Sequence, residues 1–208
     1  MSHDAIVDLY ERHAHAFDRD RGRSLQEQGW LDRFLALVPT GGTVLDVGCG
    51  MGEPSAAYVI GQGFTVTGVD ASPALIAMCR ARFPAHEWLV GDMRALALGR
   101  AFDGVLAWDS FFHLRADDQR EMFARFAAHA RPGAPLMFTS GTSAGEGIGE
   151  YCGEPLFHAS LDPAEYDELL ASHAFIVRAH LENDPACGQH TVWLATRDAV
   201  ASPGYSRT

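Results

Sequence analysis

Thr43-Val44-Leu45-Asp46-Val47-Gly48-Cys49-Gly50-Met51-Gly52-Glu53-Pro54 is the stretch from which the rest of the chain can be read. The β-branched and aliphatic run from Thr43 to Val47 predicts a buried strand. Glycines follow at alternate positions, Gly48, Gly50 and Gly52, and a helical segment opens near Pro54. Strand, glycine turn and helix begin a doubly wound α/β sheet, whose ligands bind beyond the carboxyl ends of the strands. Glycine suits that turn because it accepts positive φ and, without a Cβ, lets a ligand approach the backbone.

Working back from this stretch, Ile6, Leu9, Tyr10, His13 and Phe17 form one helical face over Asp4 to Phe17. A charged break, Asp18 to Arg23, separates it from a second helix. Ser24 and Glu27 have capping-box spacing there, and the helix carries Leu25, Trp30, Leu31, Phe34, Leu35 and Val38 as far as Pro39. Trp30 is expected in the core, with a smaller chance of touching the ligand.

Working forward, the pattern predicts a helix from Ser55 to Gly61, a strand from Phe64 to Val69 ending at Asp70, and a helix from Ser72 to Phe83. Strands over Glu87–Val90, Phe102–Trp108 and Ala134–Ser140 and a helix over Asp117–Ala130 continue the alternation. That rhythm implies right-handed crossovers and a parallel sheet. Gly141 to Ser160 breaks it and predicts a long loop, packed over the ligand by Tyr151, Phe157 and His158. A helix from Asp162 to His173 and two closing strands, Phe175–Leu181 and His190–Thr196, complete the pattern. The expected fold is α/β: a doubly wound, mostly parallel seven-stranded sheet with helices on both faces and an antiparallel last strand. One domain over 1–208 is expected, with a helical lid at 1–39, a ligand-binding core at 40–140, a substrate-side segment at 141–198 and a loose tail at 199–208.

The net charge is −11 at neutral pH, with 16 Lys and Arg against 27 Asp and Glu. This balance argues against nucleic acid as a partner, since phosphate affinity rests on basic side chains. Four cysteines stand far apart, without the CxxC spacing of a zinc site or the pattern of a disulfide framework. No apolar run approaches a membrane span, so a cytoplasmic setting is the simplest expectation.

The glycine turn departs from a dinucleotide fingerprint. Such a fingerprint wants a third glycine where Glu53 stands, and that carboxylate would repel a pyrophosphate at the helix start. A ligand without phosphate fits better.

Leu45-Asp46-Val47-Gly48-Cys49-Gly50-Met51-Gly52 resembles the first motif of class I S-adenosylmethionine-dependent methyltransferases, of the small-molecule type with a Rossmann-like fold. Val69-Asp70, Gly91-Asp92-Met93, Phe102 to Asp109 and Arg131-Pro132-Gly133-Ala134 resemble later motifs in order; Ala134 replaces a usual glycine. The resemblance covers 40–140 and implies S-adenosylmethionine as cofactor and methyl transfer as activity. It implies that Asp70 holds the ribose hydroxyls, with Ala71 and Ser72 beside it, although an Asp before Ser72 also suits a helix cap. Asp92 is expected at the adenine amino group, or else as a turn acid in solvent, and Met93 against the base. Asp46 is expected to accept hydrogen bonds that fix the loop, and Cys49 to pack with its backbone beside the cofactor. In similar enzymes the N-terminal region folds over the cofactor, often through a Tyr or Arg, so Tyr10 is expected there, or else on an amphipathic helix packed on the sheet.

Methyl transfer from a sulfonium is an in-line displacement. It needs alignment and dryness first, and a base only when the nucleophile starts protonated. Trp108, Asp109, Phe112 and His113 are expected at the reacting edge. Asp109 would either orient the acceptor or cap a helical turn. His113 and His158 would each be either a base or a packed histidine satisfied by its neighbours. The expected partner is a small-molecule acceptor, with neither nucleic acid nor membrane, for a monomer or homodimer. A non-catalytic cofactor-binding protein and, behind it, a nicotinamide oxidoreductase are the alternatives.

Overall fold

The computed structural model describes residues 3–199, so most of the expected tail lies outside the described residues. Seven strands form one sheet in the order β3-β2-β1-β4-β5-β9-β8. These are β1 (Thr43–Val47), β2 (Thr65–Asp70), β3 (Glu87–Val90), β4 (Gly104–Ala107), β5 (Pro135–Ser140), β8 (Phe175–Asp184) and β9 (His190–Arg197). All pairings are parallel except those of β9, which runs antiparallel to both β5 and β8. The fold is thus the doubly wound sheet expected, with its antiparallel last strand. β1 lies at the switch of strand order, between β2 and β4, where an open α/β sheet has its crevice.

Helices cover both faces. α4 (Ser55–Gly61), α5 (Pro73–Arg82) and α3 (Gln28–Leu35) lie on one side, where Trp30, Phe34, Val59, Ile76 and Met137 share a core. α6 (Ala116–His129) and α7 (Pro163–Ser172) lie on the other, over an aromatic core of Phe111, Phe123, Phe126, Phe138, Tyr166 and Trp193. Side chains alternate across a strand, so Val44 packs into the first core and Leu45 into the second.

Three local expectations change. The N-terminal helix is two, α1 (His3–Arg12) and α2 (Ala14–Asp20), broken at His13. The Ser24–Glu27 capping box does not form: α3 starts at Gln28 without a side-chain cap, and buried Glu27 instead accepts the Ser55 hydroxyl at 2.9 Å. The burial of Glu27 against α4 overrides the local signal. The long loop expected at 141–160 is a two-stranded hairpin, β6 (Gly145–Tyr151) and β7 (Glu154–Ser160). Its glycines and turn residues hid the strands, because β6 is exposed almost throughout and shows little apolar alternation. The hairpin still roofs the carboxyl end of the sheet, as the loop was expected to do.

The two N-terminal helices fold back over that same end. Glu11 accepts the Ser72 hydroxyl and the Ala74 N–H at the start of α5. Asp18 pairs with Arg82 at its far end. On the other side, Arg12 and His13 both meet Glu154 of β7. Trp30 is buried in the core, and its indole N–H donates to Asp184 at 2.8 Å.

Candidate cofactor and active site

The glycine turn is built as the sequence implies. Gly48, Gly50 and Gly52 all have positive φ. The Gly48 and Cys49 N–H groups donate to the Val69 carbonyl, which ties the turn to the end of β2. A Cβ on Gly48 would fall 2.2 Å from the Ser110 Cβ, so the segment after β4 packs on bare backbone. Ser110 donates to the Val47 carbonyl at 2.7 Å and locks that contact. At Gly50 an added Cβ meets only the edge of Phe17, at 3.4 Å, so this glycine presents its backbone to the space under α2.

Asp70 ends β2 inside this space. Its carboxylate accepts the Gly50 N–H and the Ser72 N–H, each at 2.9 Å. Burial raises its pKa, while those backbone donors pull the other way. A carboxylate has about four acceptor positions, so capacity remains for a ligand's hydroxyls. Ser72, not Asp70, caps α5 through the Leu75 N–H. The cleft here is walled by Ile6, Val69, Leu75 and Met93, with Ala71, Ser72 and Gly91 also on its lining. That lining suits a nucleoside, apolar surface and a diol acceptor together.

Asp92 is a turn acid, the second of its two expected readings. It caps the short turn at Met93–Ala95, and its carboxylate is engaged by the Arg94 guanidinium at 2.6 Å. It sits on the rim beside Val7, Ala71 and Gly91, while Met93 faces the cleft. The arginine immediately downstream redirects the acid. Asp46 also differs: among the described residues no hydrogen bond reaches its carboxyl, although it is only 4 % exposed. Burial, and then the nearby Asp70, push its pKa up to about 7. It faces a second cavity rather than bracing the loop. Cys49 is buried, its thiol pKa raised by burial, and it packs without reactive character.

The second cavity, about 830 Å³, adjoins the first above β1 and β4. Tyr10, Phe17, Gly48, Gly50, Asp109 and His113 line both, and so mark the junction. Trp108, Phe112, His158, Arg21 and His190 line only the second. The Trp108 indole N–H is buried there without a partner among the described residues.

The three imidazoles are held differently. His113 is buried; its Nδ1–H donates to the Phe157 carbonyl at 2.8 Å, and its Nε2 accepts the Tyr10 hydroxyl at 3.2 Å. This is the packed and satisfied histidine of the two expected readings, so His113 is a poor base. His158 stacks on His113 and Phe112, with ring centroids 4.9 and 5.3 Å away. Burial lowers its pKa, which leaves a neutral imidazole facing the second cavity. His190, expected only as part of a closing strand, reaches across from β9 to Asp109 at 3.0 Å. Asp109 adopts φ 48°, a strained value for a residue with a side chain. It also faces Arg21 at 3.4 Å and Thr139. Burial would raise the Asp109 pKa, but the His190 hydrogen bond and the two cations win, and it is lowered.

Tyr10 stacks near Tyr151 of the hairpin and lies edge-on to Phe17, so the roof is aromatic. Arg21, Glu11 and His190 are the residues sequence reading missed. Only the charged break around Arg21 and the turn before His190 carried any trace of them.

Residues 44–133 match the methyltransferase domain family. The chain is 33% identical over 135 residues to malonyl-(acyl-carrier protein) O-methyltransferase of Salmonella typhimurium, covering 63% of this chain and 48% of that one. It is 35% identical over 129 residues to dTDP-3-amino-3,6-dideoxy-alpha-D-glucopyranose N,N-dimethyltransferase of Streptomyces fradiae, covering 61% and 49%. The chain spans about half the length of these curated relatives. Among solved structures, it resembles 1,6-didemethyltoxoflavin-N1-methyltransferase of Burkholderia thailandensis, with TM-score 0.73, 22% identity and coverage of 94% of this chain and 88% of that chain.

Proposed function

We propose that this chain is a class I methyltransferase, built on the domain matched at residues 44–133, and that it transfers the methyl group of S-adenosylmethionine to a small-molecule acceptor. The observation that carries this reading is the Asp70 carboxylate, held by Gly50 and Ser72 at the mouth of a bare-backbone turn. There it would hold the ribose hydroxyls. Val69, Leu75 and Met93 would offer apolar surface to the base, with Asp92 at the rim. Asp46 would hold the ammonium of the amino-acid tail, which would supply the partner its carboxyl lacks. Arg21 would hold the tail's carboxylate. Gly48, Cys49, Gly50 and Gly52 supply the floor, and Tyr10 and Trp108 close the junction.

When bound, the cofactor supplies an electrophilic methyl group on a sulfonium. The residues do the rest. Phe17, Tyr10 and Tyr151 exclude water from the junction. Trp108, Phe112 and Asp109 position the acceptor on the side away from the nucleoside. His158 takes the acceptor's proton, since it is neutral and faces that side, while His113 holds Tyr10 in place. Positioning supplies much of such an acceleration and a base adds about 10²-fold or more. The net charge of −11 suits a small acceptor over nucleic acid. No helix of the described residues is long and apolar enough to cross a membrane, which fits the cytoplasmic setting we favour.

Calorimetry with S-adenosylmethionine and S-adenosylhomocysteine tests the site, and both should bind. A screen of small-molecule extracts for transfer of labelled methyl then finds the acceptor. Absence of binding by either nucleoside to the folded chain would end this reading.

A further inference from the structure

His190 stands where three distant segments meet. It opens β9, its Nδ1 lies 2.6 Å from the Cys187 carbonyl, and its Nε2 lies 3.0 Å from Asp109. Both ring nitrogens therefore face acceptors. A neutral imidazole has one N–H and leaves one of these contacts repulsive, whereas an imidazolium satisfies both. Asp109 in turn sits at the junction of the two cavities, at the end of β4. We propose that His190 is a positioning residue for methyl transfer, which acts through Asp109 to set the electrostatic field at the sulfonium. The proposal rests on the reading of the site given above.

The pair has a defined charge balance. Below the His190 pKa the imidazolium and Arg21 both face the Asp109 carboxylate. Above it, Arg21 is the cation that remains beside Asp109, the junction carries one more unit of negative charge, and a permanent cation there is held more tightly. Other groups face the pair from each packed element. Arg21 adds a cation at 3.4 Å from Asp109, and Glu27 an anion 3.9 Å from Arg21. Cys187 contributes its carbonyl, while Asp184 is engaged with Trp30 and Ala186. Tyr10 and His158 lie across the cavity, the phenol with its pKa raised by burial and the imidazole with its pKa lowered by burial. These shifts move the phenol up and the His158 imidazole down, whereas the His190 pKa is raised by its hydrogen bond to Asp109. Asp46 lines the same cavity, with its pKa pushed up by burial to about 7, so it titrates in the same range.

S-adenosylmethionine and S-adenosylhomocysteine differ at this point by one methyl group and one fixed positive charge, so their affinity ratio reads the field directly. The experiment is calorimetric titration of the full chain with each, from pH 6 to pH 9. In the wild type the preference for S-adenosylmethionine should rise with pH by roughly fivefold, as expected for one charge several ångströms away at intermediate dielectric. His190→Gln keeps a donor for Asp109 without the charge, so it should lose that rise and show the high-pH ratio throughout. Asp46→Asn should weaken both nucleosides alike, because they share the ammonium we assign to Asp46, and the rise in their affinity ratio should remain; a ratio that turns flat in Asp46→Asn would assign the rise to Asp46 and overturn the proposal. A ratio with the same pH dependence in wild type and His190→Gln, with S-adenosylhomocysteine still bound, would overturn the proposal. Failure of both nucleosides to bind would instead overturn the function proposed above. If His190→Gln does not fold, NMR titration of the wild-type imidazole decides: its pKa should be lower in the S-adenosylmethionine complex than in the S-adenosylhomocysteine complex, and equal values would overturn the proposal.

Discussion

The Asp70 carboxylate accepts the backbone N–H of Gly50 at 2.9 Å, so the acid at the end of β2 and the glycine turn after β1 are one unit. The acid we propose for the ribose hydroxyls is held by the same turn we propose as the cofactor's floor. Asp70→Asn should therefore weaken both S-adenosylmethionine and S-adenosylhomocysteine, by about 1–3 kcal/mol, the cost of losing charged hydrogen bonds in a buried site. Calorimetry at constant pH measures this, and thermal melting would show a smaller loss of stability alongside it.

The two glycines of the turn should respond differently to alanine. Gly48→Ala places a Cβ 2.2 Å from Ser110, so we expect a large drop in melting temperature. Gly50→Ala meets only Phe17, at 3.4 Å, and carries a left-handed φ of 55°. It should cost about 1–2 kcal/mol of stability, from that backbone strain, and weaken nucleoside binding further.

Asp46 gives a test that needs no ligand. Its folded pKa of about 7 lies above the unfolded value of 3.8. Its contribution to stability is therefore whole below the unfolded value and is lost as pH rises through about 7. Asp46→Asn should stabilise the fold more at pH 8 than at pH 4, by on the order of a few kcal/mol, and so raise the melting temperature more at pH 8. Melting curves at the two pH values measure the difference.

His158 should carry the acid side of the rate profile once an acceptor is in hand. Burial holds its pKa below the ordinary 6.5, so the base stays active down to mildly acidic pH and is lost as pH falls through its pKa. His158→Gln should lower kcat roughly 10²-fold and remove that limb. His113→Gln should act mainly through the roof, raising KM, because its ring nitrogens are held by Phe157 and Tyr10.

Glu11 offers a check on the roof. It accepts both the Ser72 hydroxyl and the Ala74 N–H. Glu11→Ala should speed amide exchange over residues 3–20 and weaken nucleoside affinity several-fold, with the sheet's own protection unchanged.

The sheet was legible because its signals are local. Val44 and Leu45 feed opposite cores, Gly48 and Gly50 need positive φ, and Ser72-Pro73 starts a helix, each in a window of a few residues. Asp70 could be found for the same reason, standing at the end of a strand. What the sequence left open or hid depends mostly on partners farther along the chain. Ser55 draws Glu27 out of its capping box, and the Phe157 carbonyl fixes His113. His190 meets Asp109 across 81 positions of sequence, and no spacing rule links them. The hairpin was missed because β6 has no buried face to leave an alternating pattern.

The fold-back of α1 and α2 also bears on how the protein can be handled. Tyr10 and Phe17 wall both cavities, so residues 3–20 complete the chambers we propose for the reaction. A shortened variant that begins at α3 would keep every strand of the sheet yet leave both chambers open to bulk water. Trimming that end for crystallisation would yield a well-folded but unsealed scaffold.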